Sequence, residues 1–112
     1  MTRRHLIVRS LARADILRYV RYLLEQGARA AAERFPDAVE QALERLLAMP
    51  GMGTLQTFTH PKLGAMRAWQ VQGFPYMYIY YQEIPGGIRV IRIIDARRNL
   101  RRIFSHTGRK IH

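Results

Sequence analysis

Seven arginines and one lysine crowd positions 89 to 112 against a single acid, Asp95. A guanidinium is a planar fork that grips a carboxylate or a phosphate at two points, so this density points to recognition of oxyanions. The candidate contact residues are Arg97, Arg98, Arg101 and Arg102 in Ala96-Arg97-Arg98-Asn99-Leu100-Arg101-Arg102, with Arg89 and Arg67 extending the patch. Proton carriers are harder to find. Glu83, His60, Lys62 and His106 are the available groups, and each also reads as an ordinary solvated side chain. The four histidines, His5, His60, His106 and His112, lack metal-ligand spacing, and with no cysteine there is no thiolate site, so neither a metal nor another cofactor is expected. Gly86-Gly87 reads as a turn, and Gly51-Met52-Gly53 follows a helix instead of opening one, so neither cradles a phosphate.

The elements that must hold these arginines can be read from periodicity. Ile88 to Ile94 is apolar on both faces, as a central strand would be, and it delivers the basic segment at its end. Before it, Met66 to Gln72 alternates, with Arg67, Trp69 and Val71 on one side, and Tyr76 to Gln82 pairs back after the turn Gly73-Phe74-Pro75. Tyr76, Tyr78 and Tyr80 would then share a face, available either for packing or for stacking on bases. His5 to Ser10 reads as a short strand able to join the same sheet.

Two helices lie between. Ser10 is the expected N-cap of the first, whose stripe is Leu11, Ala14, Leu17 and Val20 with Tyr19, Leu23 and Leu24 beside it, ending at Gln26-Gly27. The second runs from near Ala28 to Met49 on a stripe of Phe35, Val39, Ala42, Leu43, Leu46 and Leu47. Pro36 should kink or break it, leaving Asp37 to cap the second piece. Residues 51–64, rich in Gly, Thr, His and Pro, read as an irregular connection, and Asn99 to Ser105 as a short helix followed by a frayed tail from Gly108. The fold class is α+β: an N-terminal strand, a helical hairpin and a three-stranded antiparallel meander in one sheet, with a short C-terminal helix, all in one domain over residues 1–112.

Composition agrees with an ordered globule. The chain has 112 residues, 48% of them hydrophobic and 10% aromatic, enough to bury a core. Its formal net charge is +11, and of nineteen basic residues only Lys62 and Lys110 are lysine. A GC-rich genome would produce the same arginine bias without any functional cause. Glu33, Asp37, Glu40 and Glu44 gather on the second helix, so the charge is polarised along the chain. No run approaches the roughly 20 apolar residues of a membrane span, and the start reads as a strand and not as a secretory signal, so a cytoplasmic location is expected.

The order β-α-α-β-β-β resembles the ParE and RelE superfamily of bacterial toxins from type II toxin-antitoxin modules. The residues that carry the resemblance are Leu11 to Ile16, Leu46 to Gly53, Met66 to Val71, Phe74-Pro75-Tyr76 with Tyr80-Tyr81, and Ile91 to Leu100. ParE-like proteins poison DNA gyrase without established catalytic residues; RelE-like proteins cleave messenger RNA on the ribosome. Both are neutralised by a cognate antitoxin. Cleavage through the 2′-hydroxyl needs a base, an acid and donors to the phosphate. Arg67, Arg97 and Arg98 could serve as donors, but Phe104 stands where RelE-like toxins place a tyrosine and Asp95 where many have histidine. The ParE-like reading, a non-enzymatic gyrase inhibitor, is therefore preferred, with the ribosome-dependent endoribonuclease as the alternative.

Overall fold

The computed structural model describes residues 5–60 and 64–109, with side chains described except at 58–60 and 105–109. Among the described residues five strands and three α-helices follow in order, with a single 3-10 turn (Pro50–Met52) after the second helix: β1 (His5–Val8), α1 (Ser10–Glu25), α2 (Arg29–Ala48), β2 (Thr54–His60), β3 (Gly64–Gln70), β4 (Met77–Ile84), β5 (Gly87–Asp95) and α3 (Leu100–Arg109). The sheet order is β1-β5-β4-β3-β2, with β1 parallel to β5 and the other pairs antiparallel. The α+β class holds, and the N-terminal strand joins the sheet as expected.

β5 lies between β1 and β4 and is covered on both faces, which accounts for its unbroken apolar run. On one face Ile88, Val90 and Ile93 meet the helical hairpin, through Ala12 and Leu23 of α1 and Phe35, Val39, Ala42, Leu43 and Leu46 of α2. On the other, Ile91 and Ile94 join Met66, Ala68 and Tyr80 beneath Phe104 of α3. A bulge makes this possible: Tyr80 pairs with Arg92 but Tyr81 with Val90, so Ile91 is the extra residue that shifts the alternation. Edge-to-face rings stitch the hairpin to the sheet end, with Phe35 4.7 Å from Tyr19 and 5.0 Å from Phe74.

Several local expectations are corrected. Residues 54–60 form an edge strand, not an irregular connection, so four antiparallel strands stand where three were expected. Leu55 is 57% exposed, and the register slips between Leu55 and Thr59, which erases the alternation that would have marked a strand. The stripe of α1 is rotated: Ala12, Asp15 and Leu23 are buried while Leu17 and Leu24 are exposed. Ser10 is the first helical residue and makes no side-chain cap; Arg9 holds the cap position. α2 runs unbroken through Pro36, so Asp37 caps nothing. Pro36 itself is exposed, so its ring projects from the helix without displacing the core.

Other features agree with the reading. Gly27 ends α1 at φ 76°, with its N–H on the Leu24 carbonyl and that of Ala28 on the Leu23 carbonyl, the paired bonds of a Schellman cap. The stripe of α2 is buried as expected, with Leu47 half-buried. α3 extends to Arg109, past the anticipated end, so Gly108 is helical.

Candidate functional site

The end of β5 is a built corner. The Ala96 N–H donates to the Tyr76 carbonyl at 2.8 Å, continuing the pairing one residue past the strand. Asp95 then folds back: its Oδ1 accepts from the Arg97 backbone N–H at 2.8 Å and from Arg97 Nε at 3.0 Å, and its Oδ2 accepts from Arg97 Nη2 at 2.6 Å. This bidentate pair lays the guanidinium 3.7 Å above the Tyr76 ring. The Arg98 N–H donates to the Asp95 carbonyl, and the Asn99 side chain accepts from the Arg102 N–H at 3.2 Å, capping α3. Hydrogen bonds from Arg97 hold the Asp95 carboxyl below its ordinary pKa, against the opposing effect of partial burial. The same bond to Asp95 raises Arg97.

The direction of α3 is fixed from below. Ile103 and Phe104 pack on the sheet, Phe104 with its ring 5.3 Å from that of Tyr80, so Arg101 and Arg102 point outward. Arg98 is exposed as well, and it makes no ion pair among the described residues. Arg97, Arg98, Arg101 and Arg102 are thus gathered within one corner and the first turn of the helix it starts.

Arg67 and Arg89 are placed elsewhere. Arg67 pairs in register with Tyr81, four residues or about 13 Å along β4 from the Met77 position that opposes Asp95. It binds Glu83 at 2.8 Å and donates to the Gly53 carbonyl at 2.8 Å. Arg89 bonds the side chain of Gln82, whose neighbours Tyr81 and Glu83 face the other way, so Arg67 and Arg89 sit on opposite faces of the sheet. They do not extend one patch with the corner arginines. The tyrosines divide too: Tyr78 and Tyr80 lie on the α3 face, whereas Tyr76 precedes β4 and lies under Arg97. Tyr80 is 1% exposed, and burial lifts its hydroxyl pKa to about 12.

Of the proton carriers, Glu83 is held by Arg67. Lys62 and the side chains of His60 and His106 lie outside the described residues. Phe104 is buried and Asp95 is tied to Arg97. Among the described residues no group of three or more His, Cys, Asp or Glu could hold a metal, and no helix is long and apolar enough to cross a membrane.

One ionic site escaped the sequence reading. β1 stops at Val8, and where its pairing would have continued, Asp15 of α1 accepts from the Ile93 N–H at 3.0 Å and from Arg92 at 2.7 and 2.9 Å. Arg18 adds a fourth contact at 3.2 Å. The one signal in the sequence was an aspartate three residues after Ala12 and four before Tyr19, on the inward phase of α1.

A family model described as "ParE toxin of type II toxin-antitoxin system, parDE" matches residues 6–107. The chain belongs to this family of toxins. No individual curated protein matches it in sequence. Among solved structures, the chromosomal ParDE TA system from P. aeruginosa contains a chain of the same fold, with a TM-score of 0.65 over 82% of this chain and 95% of that one, at 13% identity.

Proposed function

We propose that this chain is the toxin of a type II module, that it inhibits DNA gyrase by stoichiometric binding, and that a cognate antitoxin neutralises it. The observation that carries this reading is the β5–α3 corner: a strand end, a bidentate Asp95–Arg97 pair and a capped helix hold Arg98, Arg101 and Arg102 outward. A backbone corner fixed in this way needs no loop ordering to present its guanidiniums to an anionic surface, whether acidic protein or bound DNA. The groups standing where a nuclease would keep its base and acid favour this reading further. Asp95 is ionised and engaged, and Phe104 has no proton to give.

The antitoxin is expected to be an acidic, apolar-rich segment that orders on binding, matching the net charge of +11. The test is a supercoiling assay with purified gyrase. Wild-type protein should block supercoiling, and the triple variant Arg98→Ala, Arg101→Ala, Arg102→Ala should need at least about tenfold more protein, which corresponds to about 1.4 kcal/mol. Untouched supercoiling together with ribosome-dependent cuts in a primer-extension assay would overturn the proposal.

A further inference from the structure

Where the hairpin meets the Asp95 end of the sheet, two cavities of about 320 and 280 Å³ adjoin, each near the lower size of a small-ligand site. Tyr19, Tyr22 and Asp95 line both, so they form two halves of one trough. Tyr19 and Tyr22 are stacked, 5.8 Å apart and 20° from parallel, and give it an aromatic wall. Tyr22 and Tyr76 are each 51% exposed. Arg34 and Arg97 line one half, Arg18 and Arg98 the other. The two aspartates of the trough are both engaged: Asp95 by Arg97, Asp15 by Arg92 and Arg18. Arg34 and Arg98 make no ion pair among the described residues.

From this arrangement we infer that the trough binds single-stranded nucleic acid, taking two unstacked bases against Tyr22 and the Arg97–Tyr76 pair, with phosphates on Arg34 and Arg98. Arg97 favours a nucleotide over an acidic peptide. Asp95 occupies the Nε–Nη2 edge of its guanidinium and already offsets its charge, while its side chain is still 63% exposed; a second carboxylate gains less there than a base stacking on the face turned away from Tyr76. Guanidinium planes and phenol rings are surfaces on which bases stack, without preference for sequence. A duplex keeps its bases paired inside and cannot use them. This inference goes beyond gyrase inhibition and does not require it, since oligonucleotide binding and supercoiling are separate readouts.

The experiment is fluorescence anisotropy of the full chain with a labelled short oligothymidylate, a duplex of equal length, and an acidic tyrosine-containing peptide. The single strand should bind more tightly than the duplex. Tyr22→Leu and Tyr76→Leu should each weaken it by at least about fivefold while leaving duplex binding unchanged. Arg34→Ala and Arg98→Ala should each reduce the salt slope by about 0.7. Arg101→Ala with Arg102→Ala, outside the trough, should affect both nucleic acids alike. Equal affinity for the duplex, wild-type affinity in the tyrosine variants, or displacement of the oligonucleotide by the peptide at lower concentration would each overturn the inference. Should Tyr22→Leu not fold, Tyr76→Leu and Arg34→Ala decide it, because Tyr76 lies outside the strands and Arg34 is exposed.

Discussion

Replacing Asp15 by asparagine tests whether the buried carboxylate secures the strand that carries the arginine corner. Its side chain is 2% exposed and that of Arg92 11%, and the oxygens accept from Arg92, the Ile93 N–H and Arg18. The amide is nearly isosteric, yet it removes the negative charge and turns an N–H₂ toward donors. Breaking one side of a buried pair costs about 3–5 kcal/mol, a large share of the 5–15 kcal/mol by which domains are stable. For a chain of 112 residues the average unfolding entropy translates each kcal/mol into about 4 °C, so the midpoint should drop by about 12–20 °C. Thermal unfolding by circular dichroism and urea unfolding followed by Trp69 fluorescence give the two numbers. Asp15→Leu combined with Arg92→Met should recover only part of the loss, because the apolar pair leaves no orphan charge but still strands the buried Ile93 N–H. A midpoint within about 4 °C of wild type for Asp15→Asn would refute the reasoning, since it would place the cost below about 1 kcal/mol.

Two further perturbations follow from the same core. A Cβ on Gly53 would sit 2.5 Å from the Tyr81 hydroxyl oxygen and 3.0 Å from the Ala68 carbonyl, so Gly53→Ala should destabilise by about 1–3 kcal/mol in urea unfolding. Tyr81→Phe removes the hydroxyl that accepts from the Gly53 N–H and donates to the Pro50 carbonyl, with a loss of similar size expected because a buried N–H is orphaned. Tyr80, raised to about 12 by burial, stays protonated in the folded state while the unfolded phenol ionises near 10; stability is therefore intact below pH 10 and should fall by about 2–3 kcal/mol between pH 10 and 12. Tyr80→Phe should flatten that part of the alkaline profile, and an unchanged profile would show that another group controls it.

How much of this was legible in the sequence depends on how local the cause is. The hairpin, its glycine stop and the stripe of α2 arise from neighbours three and four residues apart, and they were readable. β5 was readable as central because two covering layers demand apolar residues on both faces, although the bulge at Ile91 that serves both layers was not. β2 was missed because an edge strand with Leu55 exposed and a slipped register shows no alternation. The face of α1 was misjudged because its inward phase carries an aspartate, whose partner stands 77 residues away. At the site, the four arginines after β5 were found together because they are contiguous; Arg67 and Arg89 were added from strand positions whose faces only the register reveals.

The parallel pairing of β1 with β5, and the Asp15–Arg92 bond beside it, tie the opening of the chain to its last third. A ribosome delivers these partners in order, N-terminus first. The nascent polypeptide therefore holds an unmatched first strand and an uncompensated carboxylate until residues 87–93 have been made, and closing so long a loop is slow compared with forming the hairpin. The arginine corner at the end of β5 is fixed in place only once that long loop has closed.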